Sequence, residues 1–308
     1  MHRTFSVSLP SSHTDRLLDQ LRPLAYVVGL SIERGSSIKP PGDVLTIQVL
    51  NRGADEVLRC VADVCQQQSF SVATAELASL IDLENHALIE KDYDEAVWEE
   101  IETGLRHNGR LTPNYVALMG IGGVVAAVGL VSDPAPQAVS IVAAAVLAPG
   151  FDPLAKVALG VLNRRKQLIL MGLRNTLIGY GVLILCAGLS FWLMRLTGAT
   201  TVADFINNPE VKSLSDPDMK QYLMSIGGAI AGGIIVASYR DSFIAGALMA
   251  MAFIHAAAMV GVSLVAGQWH YAVQGLERFG LDALFIVVGC YLVFGLKQVL
   301  VHNRKPIV

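Results

Sequence analysis

Hydrophobic and polar positions follow three regimes along the chain. Over the first eighty residues they alternate and then change period. Residues 4–9 (Thr-Phe-Ser-Val-Ser-Leu) alternate as a strand does, and 14–25 set Leu17, Leu18, Leu21 and Leu24 on one side of a helix that opens at Thr14 and Asp15. Val27 to Ile32 reads as a second strand, Gly35 to Gly42 as a turn carrying Pro40 and Pro41, and Val44 to Leu50 as a third strand. Ala54 to Val64 is helical with Val57, Val61 and Val64 inward, and Phe70 to Ala75 closes the set. This strand-helix-strand-strand-helix-strand order predicts a small α+β ferredoxin-like domain over 1–80. The scaffold by itself specifies no function. It carries no glycine-rich phosphate loop, no His/Cys ligand set and no basic stripe for nucleic acid.

The second regime, 81–111, is an acidic amphipathic linker. From Glu90 to Leu105, Val97, Trp98, Ile101 and Leu105 recur at helical spacing, with Asp92, Asp94, Glu95, Glu99, Glu100 and Glu102 elsewhere. Anionic lipid headgroups repel such a face. The apolar stripe is therefore expected against the preceding domain or the same helix of a second subunit, or on a solvated connector.

The third regime, 112–308, is nearly free of charge over long runs. No Asp, Glu, Lys or Arg occurs in 111–132, 134–151, 175–194, 221–239 or 242–276. A helix needs roughly 20 apolar residues to cross the hydrocarbon core, and barrel-type alternation is missing. Six transmembrane helices are predicted at about 112–132, 136–162, 167–196, 221–239, 243–266 and 279–301.

Composition agrees. Of 308 residues 53% are hydrophobic and 16% charged, and the mean hydropathy is +0.50, which excludes a disordered chain and an ordinary soluble enzyme. Residues 1–111 hold 10 Lys/Arg against 17 Asp/Glu, whereas 112–308 hold 13 against 9. Arg106, Arg110, Arg164, Arg165, Lys166, Arg240, Lys297, Arg304 and Lys305 fall on one side of the predicted spans, and only Arg195, Lys212, Lys220 and Arg278 border or occupy the loops of the other. With no signal-peptide-like run at Met1 to Val7, this predicts an inner-membrane, multi-pass protein with both termini cytoplasmic. Cys60, Cys65, Cys186 and Cys290 are scattered and read as reduced thiols rather than metal ligands.

The spans also repeat weakly. Met119-Gly-Ile-Gly-Gly-Val-Val-Ala126 resembles Met224-Ser-Ile-Gly-Gly-Ala-Ile-Ala231, and in each copy a short polar corner, Ser132 to Gln137 or Ser238 to Ser242, leads to a small-residue span. Three spans per copy make the repeat inverted, the architecture of many transporters and some channels; the bland alternative is that Gly/Ala-rich spans look alike.

Candidate chemistry sits where the spans are interrupted. Pro149, Gly150 and Pro153 cannot all continue a helix, so the second span should break, with Asp152 capping the new start. At about 1.5 Å per residue Asp152 lies roughly 18 Å from Arg164, near mid-membrane, with Lys156 one turn below. Intramembrane charge marks function by default; the spacing of four equally permits a structural ion pair. An anion would be drawn to the helix start with Lys156, a cation to Asp152 and the unwound carbonyls. His255, deep in the fifth span, is the group whose charge changes near neutral pH. Arg174 with Asn175 in the third span completes the set, and Tyr239-Arg240-Asp241 reads as an anchoring corner. Gly228 to Gly232 offers a close packing face. No cofactor is named by these residues.

The Ala144-Ala-Val-Leu-Ala-Pro-x-x-x-Pro-Leu154 run, the Gly246-Ala-Leu-Met-Ala-Met-Ala-Phe253 run with Gly261 after it, and the small N-terminal domain resemble the prokaryotic hydrophobic membrane proteins grouped as domain of unknown function 389. A Gly is typical of that family where Asp152 stands, and a Pro-Pro pair where His255 and Ala256 stand. The resemblance implies no established activity. The reading favoured by the residues is a homo-oligomeric transporter or channel for a small polar solute or ion, with the N-terminal domain regulating or dimerising it. The alternative is a membrane-anchored metabolite sensor without transport. The chain lacks a zinc-protease motif, a nucleophile elbow and an intramembrane aspartate pair, so no enzyme activity is expected.

Overall fold

A computed structural model describes residues 2–65, 69–92, 95–238 and 243–302, without the side chains of 108 and 243–252. The chain divides into two compact units, Met1–Ile101 with Lys297–Val308, and Glu102–Leu296. The acidic stretch expected as a linker over 81–111 is divided between them.

In the first unit β1 (His2–Leu9), α1 (Ser11–Leu21), β2 (Val27–Ile38), β3 (Pro41–Val49), α2 (Asn51–Val64) and β4 (Ser71–Leu77) follow in order. The strands lie β2-β3-β1-β4, every neighbour antiparallel, which is the split βαβ order. Alternate residues of a strand share a face, so Phe5, Val7 and Leu9 of β1 meet Leu45, Ile47 and Val49 of β3. Leu17, Leu21, Val57 and Val61 close this core from the helices. The hairpin between β2 and β3 is tighter than the expected Gly35–Gly42 turn. Ser37 pairs with Gly42 and Ile38 with Pro41, after a register shift beyond Glu33. Gly35 takes φ +68°, a left-handed conformation that needs no Cβ, and its N–H donates to Asp43 Oδ1 at 2.8 Å.

Two short helices follow β4: α3 (His86–Glu90) and α4 (Trp98–Asn108). The helix expected from Glu90 therefore begins at Trp98. Its apolar stripe, Val97, Trp98, Ile101 and Leu105, is buried, and Val97 joins the core of the first unit. Several acidic residues of the stretch are ion-paired rather than solvated. Glu100 lies 2.7 Å from Arg3, and Glu95 lies 2.6 Å from Lys297. The C-terminal π-helical turn Gln298–His302 packs in the same unit, where His302 Nδ1 is 2.6 Å from Asp55 and its ring is 4.8 Å from that of Trp98.

The second unit is helical: α5 (Pro113–Gly129), α6 (Pro134–Leu147), α7 (Phe151–Leu162), α8 (Lys166–Leu196), α9 (Val202–Asn207), α10 (Pro209–Ser215), α11 (Met219–Ala237), α12 (Phe243–Ala266) and α13 (Trp269–Lys297). Helix starts follow local chemistry. The Thr112 hydroxyl accepts the Tyr115 N–H at 3.1 Å with Pro113 in the first turn, and Asp218 with Gln221 forms a capping box for α11. Among the described residues α8, α11 and Trp269–His302 are long and apolar enough to cross a membrane. The bent pair α6 and α7 makes a fourth, and α5 and residues 253–266 are apolar but shorter. Leu170, Leu177, Leu185 and Leu189 of α8 and Leu276, Leu284 and Leu292 of α13 are exposed. Exposed apolar surface on this scale suits a lipid environment.

Helix α8 packs on α5, α7 and α12. One face of this unit gathers the α5–α6 turn, the end of α8, the short helices α9 and α10, and the start of α13. There Asn208 Nδ2 donates to the Ser132 carbonyl at 3.0 Å, and Phe205 lies between Phe191 and Tyr271 at 6.1 and 5.9 Å. The opposite face holds the end of α4 and the α7–α8 turn, joined by Arg165 donating to both Glu102 oxygens at 2.8 and 2.9 Å. The last apolar helix starts at Trp269 rather than 279. Glu277 and Arg278, which interrupt the apolar count, lie inside it, and Arg278 pairs with Asp282 one turn on at 3.0 Å.

Candidate functional site

The break in the second apolar segment forms where expected. Helix α6 stops at Leu147, α7 restarts at Phe151 with a 49° bend, and the Gly150 N–H turns back to the Ala148 carbonyl at 2.8 Å. Pro149 and Pro153 cannot donate backbone hydrogen bonds, so the last carbonyls of α6 lose helical partners here. Asp152 does not cap the restart. The cap position is Gly150, without a side-chain cap, and Asp152 lies half-buried in the first turn of α7, where its charge suits the helix dipole.

Gly150 is required by a close approach. A Cβ there would fall on the hydroxyl of Tyr180. Tyr180, on α8, is 2% exposed, and its ring packs 4.8 Å from Phe253 and 4.7 Å from Phe279, which fixes the hydroxyl against the break. That hydroxyl has no hydrogen-bond partner among the described residues. Sequence reasoning missed Tyr180. The available signal was a tyrosine inside an apolar span, whose polar end requires a partner when buried.

Lys156 is fully buried, but it does not pair with Asp152 among the described residues. Its ammonium donates to the Gly109 carbonyl at 3.1 Å, and Asn175 Nδ2 donates to the same oxygen. The Asn175 Oδ1 is left without a partner among the described residues, while the Tyr115 hydroxyl donates to the Asn175 carbonyl at 3.3 Å. Gly109 immediately follows α4, so this cluster stands at the α4 side of the helical unit. Asp152, Lys156, Asn175, Pro149, Gly150 and Pro153 are brought together with Tyr180. Arg174 is exposed and stands apart, and His255, fully buried on α12, packs against Gly129 at the far end of α5. Tyr239, Arg240 and Asp241, and the side chains of 246–252, lie outside the described residues.

A second polar cluster stands near the α9–α10 face. Arg278, 4% exposed, donates from Nη2 to Ser225 Oγ at 2.7 Å, pairs with Asp282, and lies 5.2 Å from the Tyr222 ring. Arg278 was expected at a loop border. On α10, burial pushes the Glu210 carboxyl above the usual carboxylate range against the pull of Arg278. No group of three or more metal-ligating side chains occurs among the described residues, and the four cysteines carry no disulfide.

One packing contact occurs twice. Gly172 of α8 abuts the Pro153 carbonyl and the Val157 N and Cγ2 of α7; Gly275 of α13 abuts the Ala256 carbonyl and the Val260 N and Cγ2 of α12. Each position of the second contact lies 103 residues after its counterpart: 275 against 172, 256 against 153, 260 against 157. The same spacing relates His255 to Asp152 and Arg278 to Asn175.

Apolar helices, a broken apolar segment and buried polar groups at the break define the class, a helical membrane protein. The family described as Domain of unknown function (DUF389) matches residues 145–288, and over that span, from the end of α6 into α13, the chain is similar to it. No curated protein and no solved structure matches the chain.

Proposed function

We propose that the protein is a transporter or channel for a small polar solute or ion, binding it at the break between α6 and α7. The observation that carries this reading is the buried Tyr180 hydroxyl aimed, without a partner, at a helix restart that also holds Asp152. Buried polar groups are normally satisfied, so an orphan beside unwound backbone favours a ligand. Asp152, the Asn175 Oδ1 and the α6 carbonyls supply acceptors, and Tyr180 supplies a donor.

The fuller architecture is six spans in two inverted sets of three, with both termini cytoplasmic at the inner membrane and the N-terminal unit regulating or joining copies. The recurrence of the Gly172 contact at Gly275 supports the repeat, because likeness of composition alone does not reproduce the same packing atoms at one spacing. Asp152 and His255 are then equivalent positions, as are Asn175 and Arg278. Flux of small hydrophilic solutes into liposomes holding the full-length protein tests the reading. A transported solute should cross at least about tenfold more slowly with Asp152→Asn or Tyr180→Phe. Wild-type flux in both folded variants would remove the site, and a compound that stabilises the protein with no flux of any solute would favour the sensor.

A further inference from the structure

Two hydrogen bonds at opposite faces of the helical unit join the third long helix of each set to the start of its own set. At the α4 face Asn175 and Lys156 both hold the carbonyl of Gly109, in the connection from α4 to α5. At the α9–α10 face Arg278 holds Ser225, in the second turn of α11, at 2.7 Å. Asn175 and Arg278 are related by the same 103-residue spacing as the packing contacts (278 against 175).

A cavity opens one helical turn away from the second of these contacts. Gln221 and Gln274 stand one helical turn before Ser225 and Arg278, and they line a space of about 540 Å³ with Lys212, Asp216, Asp218 and His270. Its walls carry amides and charges of both signs, which suits a hydrophilic occupant and not an apolar one. Arg278 Nη1 has no hydrogen-bond partner among the described residues although the side chain is buried. A buried guanidinium N–H left free calls for an oxygen acceptor.

We propose that Ser225, Arg278 and Asp282 close a solute path at the α9–α10 face, that Gly109, Lys156 and Asn175 close it at the α4 face, and that the cavity above Arg278 admits a small hydrophilic solute presenting oxygen acceptors. This rests on the transport reading. A solute oxygen reaching Nη1 competes with Ser225 and Asp282 for the guanidinium, which loosens α11 from α13. In an inverted repeat the two closures are equivalent, so each must open while the other holds.

One-sided labelling tests this without knowing the solute. In the full-length protein with its four cysteines changed to alanine, Ala148→Cys at the break is exposed to a membrane-impermeant maleimide from one face or the other of sealed vesicles. Arg278→Ala should raise labelling about fivefold from one face alone, and Lys156→Met about fivefold from the opposite face alone. Ser225→Ala, which removes only the acceptor, should act in the same direction as Arg278→Ala even where that variant folds poorly, and Arg278→Lys should restore part of the closure. Unchanged labelling, or a rise from both faces together, would overturn the proposal. Flux in the same vesicles separates the two ideas: flux without one-sided labelling removes the closures and keeps transport, whereas one-sided labelling with no flux of any solute removes transport.

Discussion

Arg3 and Lys156 are both withdrawn from solvent, at 1% and 0% exposure, yet the two units treat them differently. Arg3 lies in β1 with Asn51 at 2.9 Å, Glu100 at 2.7 Å and Glu76 at 3.5 Å, so its charge is balanced and its donors are shared among three side chains. Lys156 donates to one neutral carbonyl, which it shares with Asn175, whose Oδ1 has no partner among the described residues; Asp152, one turn before it, attracts the ammonium without accepting from it. A buried charge with matched carboxylates holds a fold together. A buried charge kept on one weak acceptor, among orphan polar groups, is poorly explained by stability and better by exchange of partners.

The largest expected effect follows directly. Arg3→Ala leaves Glu100 buried without its cation, and burial already pushes that carboxyl above the usual range. The cost should be about 3–5 kcal/mol, read as loss of the first unit's denaturation transition. Lys156→Met keeps the aliphatic stem and removes one hydrogen bond, so its cost should stay near about 1 kcal/mol. Equal costs would dissolve the contrast between the units.

The next effect sharpens the comparison inside the helical unit. A Cβ at Gly172 would sit 2.7 Å from the Pro153 carbonyl oxygen, and at Gly275 3.0 Å from that of Ala256. Gly172→Ala and Gly275→Ala should each cost about 1–3 kcal/mol by overpacking, Gly172 the more, in melts of the detergent-solubilised protein. A large cost at one position and none at the other would show that the two contacts are not equivalent.

What the sequence made legible was set by how local each signal is. The alternating strands, the Leu17–Leu21 helix face and the Pro149-Gly150-Pro153 break are written in neighbouring residues, and they fold as read. The misread features involve partners far along the chain. The spacing of four permitted an ion pair of Lys156 with Asp152 as well as a site, but the partner of Lys156 is Gly109, 47 residues away. Arg278 looked like a loop cation because Glu277 and Arg278 together end the apolar run; only Asp282 one turn on, and Ser225 on another helix, explain its burial. Tyr180 was marked only by its polar end inside an apolar span, since one hydroxyl barely changes the hydropathy of a span.

A smaller effect separates the units by pH. Ser11 and the Gly35 N–H hold the Asp43 carboxyl below the usual carboxylate range. The folded first unit therefore prefers the ionised form. That stability is present above about pH 4, the ordinary value, and is lost as pH falls through the lower folded-state value. Asp43→Asn should flatten this acid dependence in the first unit's transition, leaving that of the helical unit as before. An acid dependence unchanged by the substitution would place the sensitive group elsewhere.

The smallest effect on stability carries the most about function. Because the Tyr180 hydroxyl has no partner to lose, Tyr180→Phe should shift stability by no more than about 0.5 kcal/mol, or raise it slightly. Gly150→Ala should be destabilising while the hydroxyl is present, since its Cβ falls on that oxygen, and less so in the Tyr180→Phe background. A double-mutant cycle over the four proteins measures this coupling. If the cycle shows coupling, the hydroxyl does abut the break, and a Tyr180→Phe protein that is as stable as the wild type but slower in flux assigns the oxygen to the solute. If the two substitutions are additive, the hydroxyl lies elsewhere in solution and the break loses the Tyr180 donor.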